Sequence, residues 1–174
     1  AVIDVGYTNR SALGTHMTGK VPYKMGEVWG KGMLSDSHAW YQQTANALGW
    51  YSMDLGTVQS VGGIAMRGRS DSGQWVKNYH VTYSRDGKSW QSVEHGRIFP
   101  GAKNQYEIVT DKFKNLVQAR YVKIHPNTWQ GAVTGRFGVV VARPSDGAVP
   151  SGPLLVVDVP YTNRKASSVS GNKK

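Results

Sequence analysis

Between residues 75 and 90 the chain reads Trp-Val-Lys-Asn-Tyr-His-Val-Thr-Tyr-Ser-Arg-Asp-Gly-Lys-Ser-Trp. Tyr79, Val81 and Tyr83 alternate with His80, Thr82 and Ser84, the period of two shown by a strand with one buried face and one wetter face. The alternation breaks at Arg85-Asp86-Gly87-Lys88, where an Asp-Gly pair supplies the positive backbone angles of a tight hairpin turn. A second strand is therefore predicted from near Ser89, with Trp90 packed across from the first. The hairpin reads as the middle of an all-β core that buries Tyr79, Val81, Tyr83, Trp90, Val122 and Ile124.

The same pattern recurs along the chain. Residues 50–56 alternate and end at a glycine, and residues 58–66 form another strand with Gly62-Gly63 as a bulge. Residues 68–74 are a polar loop, 97–103 a turn, 106–109 and 113–116 further apolar strand content, and 119–126 alternate up to a proline stop. Residues 136–141 make the last strand. About eight short strands are the number expected of an antiparallel β-sandwich or barrel. With 21 glycines and 7 prolines, no window of ten or more residues keeps a helical apolar stripe, so no helix longer than two turns is expected.

Composition limits what such a core can serve. The 174 residues, 39% of them hydrophobic, suit one packed domain. No run approaches the roughly 18 apolar residues of a membrane-spanning helix, and Ala1-Val2-Ile3-Asp4 lacks the basic and apolar regions of a signal peptide, which reads as a mature or excised segment. The absence of cysteine excludes a disulfide framework and thiolate metal sites. A net charge of +10 attracts anionic partners such as acidic membranes, anionic glycans and nucleic acid. Its carriers are scattered singly, as in Lys20, Lys24, Lys31, Arg67, Arg69 and Lys77, and residues 151–174 hold +3 of the total.

The two ends of the chain repeat one another. Residues 1–14 align without gaps to residues 155–168, with eight of fourteen positions identical at a period of 154 residues. The Pro/Gly/Ser-rich stretch between, residues 143–153, has a linker's composition. Three parts are therefore expected: a domain at 1–142, a linker at 143–153, and the opening of a second tandem repeat at 154–174. An edge strand without a partner tends to find one, so residues 154–168 are expected to exchange strands with another copy, to lie along their own domain or to stay mobile.

Residues 20–33 have no usable period and three glycines, so they form a long loop, and loops of that length in compact domains are usually functional. Tyr23, Met25, Trp29 and Met33 interleave there with Lys20, Lys24 and Lys31, a mixture that suits the boundary between apolar lipid and acidic headgroups. The alternative is that Trp29 and the methionines fold back as a lid on the core.

Five motifs in order carry a resemblance: residues 50–56, Trp75-Val-Lys-Asn-Tyr79, Tyr83-Ser-Arg-Asp-Gly-Lys-Ser-Trp90, Phe99-Pro-Gly101, and residues 119–126 with Trp129. Together they resemble the discoidin domain family, also called coagulation factor V/VIII type C domains and related to family 32 carbohydrate-binding modules. The resemblance implies a jelly-roll-like β-sandwich that binds its ligand through protruding loops at one end and has no catalysis of its own. Those loops fall on residues 20–33, 32–38 and 68–74. Departures are the missing cysteine pair, and Gly138 where the family usually has a glutamate two places after the last-strand arginine, here Arg136. This leaves the buried partner of Arg136 open. The aspartate-rich calcium loop of the related modules has no clear counterpart, so no cofactor is expected and only structural calcium stays open.

Catalytic constellations fail on the residues themselves. Ser35-Asp36-Ser37-His38 holds triad residue types, but neighbours on an extended loop point to opposite sides. The five histidines lack the spacings of zinc sites. A non-catalytic adhesion module is the reading that remains, extracellular or at the cell surface. Docking on an anionic membrane would use Tyr23, Lys24, Met25, Trp29, Lys31 and Met33. A lectin would use Tyr23 or Trp29 beside His38, Arg69, Asp71 and Gln74. A protein ligand would engage the same loops with Trp29 as anchor. Nucleic acid is disfavoured, because the aromatic residues sit in strands rather than on a basic stripe.

Overall fold

The computed structural model describes residues 32–35, 37, 39–42, 47–142, 154–159 and 164–166, with 154–155 and 164–166 described in their backbone alone. The expectations placed on residues 1–31, His38 and the linker at 143–153 lie outside the described residues. Nine strands are present among those described: β1 Trp40–Tyr41, β2 Tyr51–Arg67, β3 Trp75–Ser84, β4 Gln91–Ser92, β5 Phe99–Pro100, β6 Val109–Gln130, β7 Thr134–Ala142, β8 Leu154–Val157 and β9 Arg164–Ala166. They follow the order β1-β7-β2-β6-β3-β4, with β5 on β3, β8 on β7 and β9 on β2. Every strand pair is antiparallel, and Met33 adds an isolated parallel bridge to Phe137. The one helical element among these residues is a single turn, Val93–Gly96. The all-β jelly-roll-like sandwich expected from the sequence is the observed fold.

Several strands expected to be separate are continuous. Residues 50–56 and 58–66 merge into β2, because the glycine at 56 does not end the strand but bends it. Residues 55–58 stand opposite the single residue Arg120 of β6, between the pairs Asp54↔Tyr121 and Gln59↔Ala119. A bulge of that size turns a strand from one layer of a sandwich into the other. Arg120 closes the corner with a fork on Asp54, Nε to Oδ1 at 2.8 Å and Nη2 to Oδ2 at 3.0 Å. Gly62 is the extra residue between Val61↔Val141 and Gly63↔Val140, the bulge expected there.

Pro126 does not stop its strand either. It pairs with Tyr79 inside β6, and the register shifts between Asn78 and Tyr79, leaving Asn127 unmatched. A proline without an N–H is accommodated at such a bulge.

The Asp-Gly turn also differs from the two-residue hairpin. Gly87 takes φ +75° while Asp86 does not share the left-handed region. Asp86 instead accepts hydrogen bonds from the amides of Lys88 and Ser89, both at 2.8 Å, and from the Ser84 hydroxyl at 2.9 Å. These bonds hold its carboxyl well below the usual carboxylate range. The loop is thereby widened, and β4 starts at Gln91 rather than Ser89.

Trp40, Tyr51 and Phe137 pack with ring centroids 4.9–6.0 Å apart, and Tyr79 stacks on Phe99. Of the six residues predicted to be buried, Tyr79, Val81, Val122 and Ile124 are fully so. Tyr83 and Trp90 are only half-buried. Tyr83 sits at the end of β3 with its hydroxyl donated to Gln91 Oε1 at 2.7 Å. Trp90 lies in the widened loop, where its ring meets Tyr121 and the Lys123 ammonium at 3.7 Å.

Candidate functional site

β2 and β3 are joined by residues 68–74, the polar loop seen in the sequence. It is closed by its own backbone: the Arg69 amide donates to the Gln74 carbonyl at 3.0 Å and the Gln74 amide to the Ser72 carbonyl at 2.7 Å. Gly68 sits where any side chain would collide, since a Cβ there would lie 2.9 Å from the carbonyl oxygens of both Asn104 and Gln74. That close approach docks the loop against residues 101–108, with the Gly68 amide donating to the Asn104 carbonyl at 3.1 Å.

Arg136, on β7 and 3% exposed, ties the two loops from below. Its Nε donates to the Gly68 carbonyl and its Nη2 to the Gln105 carbonyl, both at 2.8 Å. Main-chain carbonyls therefore take the guanidinium at a position where residue 138 offers no carboxylate.

Three of the residues proposed from sequence come together on this platform. Arg69 forks onto Asp71, Nε to Oδ1 at 2.5 Å and Nη2 to Oδ2 at 3.0 Å, and its Nη1 donates to Gln74 Oε1 at 3.3 Å. The Asp71 bond outweighs partial burial and raises the Arg69 pKa, so a fixed planar cation, a carboxylate and an amide share one surface. Arg69 also faces the ring of Tyr41 with its Cζ 6.0 Å from the centroid. The Ser70 hydroxyl donates to the Ser37 carbonyl, and Gln105 Nε2 to the Ser70 carbonyl at 3.4 Å, which joins segment 32–37 to the same cluster. Met33 is half-buried at its bridge to Phe137, at the base of this end. Tyr23, Lys24, Met25, Trp29, Lys31 and His38 lie outside the described residues.

Sequence reading missed the neighbouring loop. Tyr106 and Ile108, read as strand content, stand 71% and 49% exposed. The Asn104 side-chain oxygen accepts from the amides of Tyr106 at 2.9 Å and Glu107 at 2.7 Å. This is a turn in which asparagine mimics the backbone, and it holds the segment out of the ladder until Val109. The signal was Asn104 following Gly101, turn chemistry that outranks a short apolar alternation. Among the described residues no three His, Asp or Glu side chains group closely enough to hold a metal.

A sequence model of the F5/8 type C domain matches residues 23–138. The chain is 35% identical to lactadherin of Bos taurus over 106 residues, 57% of this chain and 25% of that protein. It is 29% identical to discoidin-2 of Dictyostelium discoideum over 110 residues, 63% of this chain and 42% of that protein. It thus spans less than half of the length of either relative. The structure of wild-type discoidin II from Dictyostelium discoideum superposes with a TM-score of 0.56 at 26% identity, covering 59% of this chain and 40% of the other. The module CBM32-1 from a family 31 glycoside hydrolase of Clostridium perfringens shares the fold, with a TM-score of 0.50 at 19% identity over 66% of this chain and 84% of that one.

Proposed function

The chain belongs to the F5/8 type C domain family, and from that premise we propose that it is a non-catalytic module, extracellular or at the cell surface, whose loop end docks on an anionic membrane. The observation that carries this reading is the pair of apolar side chains displayed beside the polar loop, Tyr106 at 71% and Ile108 at 49% exposure. An exposed aromatic and an exposed branched aliphatic residue on one loop have nothing to pack against in water and bury apolar area when they enter a lipid surface. The net charge of +10 draws the domain to acidic headgroups, and the sequence of residues 20–33, rich in Lys, Tyr, Met and Trp, supports the same partner.

A second reading, a glycan site, is favoured by the Arg69–Asp71–Gln74 cluster beside Tyr41. A fixed guanidinium, carboxylate and amide next to an aromatic face are what sugar hydroxyls and a sugar ring require.

Sedimentation of the chain with vesicles of phosphatidylserine in phosphatidylcholine, against phosphatidylcholine alone, tests the first reading. Binding to the acidic vesicles is expected, lost in Tyr106→Ser/Ile108→Ser with the unfolding midpoint unchanged. Equal sedimentation with both vesicle types, or none with either, overturns it. A glycan-array signal abolished by Asp71→Ala would establish the second.

A further inference from the structure

One edge of the sandwich is filled by the chain's own C-terminal segment. β8 pairs with β7 from Val139↔Val157 to Ala142↔Leu154, and β9 pairs with Tyr51, Ser52 and Met53 of β2. Val156 packs on Leu34, Ala65 and Val140. Val157 packs against the main core, and Val159 is fully buried in it. The carboxylate of Asp158, 5% exposed, accepts from the amides of Leu34 and Ser35, each at 3.1 Å, and from the Ser35 hydroxyl at 2.7 Å. A Cβ at position 138 would lie 2.5 Å from Leu34 Cδ1 and 3.0 Å from the Val157 carbonyl, so glycine there lets Leu34 and the segment close on β7. The slot is shaped for Val-Val-Asp-Val, followed six residues after the aspartate by Arg-x-Ala on β2.

The chain carries that sequence twice. Residues 2–5 read Val-Ile-Asp-Val against Val-Val-Asp-Val at 156–159, and Arg10-Ser11-Ala12 follows Asp4 at the same spacing as Arg164-Lys165-Ala166 follows Asp158. The side chains that meet the slot are the ones repeated: the valine of the small cluster, a β-branched residue against the core, the anchoring aspartate and the buried valine. The substitution of Pro160 by Gly6 falls in the connection between the two paired stretches.

We propose that residues 1–14 are a second occupant of this slot, so that two segments of one chain compete for a single edge and the slot is addressed by sequence rather than by position in the chain. Asp4 then accepts the Leu34 and Ser35 hydrogen bonds whenever Asp158 does not.

The full chain with Asp158→Ala, with Asp4→Ala and with both substitutions tests this by thermal unfolding and by hydrogen exchange at the Leu34 and Ser35 amides. Each single variant is expected to keep its midpoint close to that of the parent and to keep both amides protected, because the other aspartate takes over. The double variant is expected to lose far more than the sum of the two and to exchange at both amides. The proposal is overturned if Asp158→Ala alone gives the whole loss, unfolding included, with Asp4→Ala adding nothing. Additive losses, or a double variant no worse than the singles, overturn it equally.

Discussion

A buried guanidinium brings five N–H groups that must find acceptors, and Arg136 shows what happens when no carboxylate stands two residues along its own strand. Its donors reach the carbonyls of Gly68 and Gln105, so the residue becomes the tie between the loops at 68–74 and 101–108. Arg136→Met is expected to leave those carbonyls unmatched and to cost about 2–6 kcal/mol, at roughly 1–3 kcal/mol per stranded buried group, and to weaken ligand binding as the loops separate. Denaturant unfolding with a binding assay on the same variant checks both. A second residue-scale test concerns the stacked pair His80 and His125, 4.6 Å apart. Burial first, then the neighbouring His80 and Lys123, lowers the His125 pKa to about 4. A base whose folded pKa lies below its unfolded value of about 6.5 takes up its proton more readily when unfolded, so its contribution to stability is present above that pH and is lost as pH falls toward 4. At about 1.4 kcal/mol per pKa unit the loss reaches up to about 3 kcal/mol. His125→Asn is expected to flatten stability between pH 6.5 and 4, read from unfolding midpoints across that range. The raised pKa of Asp111, caused mainly by burial, works with the opposite sign in the lower part of the window, so the comparison is made with the parent at each pH.

At the scale of elements, the corner in β2 and β6 decides how two strands serve two layers. Residues 55–58 buckle opposite Arg120, and the fork from Arg120 to Asp54 holds the bend from outside. That bond raises the Arg120 pKa, yet the pair is well exposed to solvent, with side-chain exposures of 40% and 20%, so its contribution is small, below about 1 kcal/mol. The buried side of the same strands carries the energy. Ile124, fully buried, pairs with Tyr51 on one side and Val81 on the other. Ile124→Ala is expected to cost about 2–5 kcal/mol through lost burial and the cavity left behind, against less than about 1 kcal/mol for Arg120→Met. Equilibrium unfolding of the two variants gives the comparison directly, and equal losses would show that the corner depends on the fork.

For the whole molecule, the charge of +10 acts at long range while Tyr106 and Ile108 act on contact. Exposed charges are screened over about 10 Å at 0.1 M ionic strength, so docking on acidic vesicles is expected to weaken steeply between 0.1 and 0.5 M salt, whereas binding to a neutral sugar is expected to hardly change. If the edge slot is shared, the segment that is not seated is a strand in search of a partner, and a second copy offers it the same slot. Concentration-dependent mass in solution, abolished by Asp4→Ala, is then expected. A chain monomeric at all concentrations excludes exchange between copies and leaves competition within one chain standing.

The β character of the chain, the positions of Tyr79, Val81, Val122 and Ile124 in the core, the polar loop at 68–74 and the repeat of residues 1–14 at 155–168 follow from sequence alone, because alternation, turn residues and identity are local properties of the chain. Burial of Tyr83 and Trp90 did not follow, since alternation names a face and not how far along a strand the core extends. Where β2 bends, that Pro126 sits inside a strand and that Arg136 joins two loops were decided by tertiary structure, because each depends on which residues of distant segments are brought alongside, whereas the projection of Tyr106 and Ile108 follows from the local turn at Asn104. The sequence repeat states that residues 2–5 and 156–159 are alike. Only the folded edge aims the Leu34 and Ser35 amides at one carboxylate, that of Asp158, because a docking slot is made by strands far apart in the chain and exists only once they are assembled.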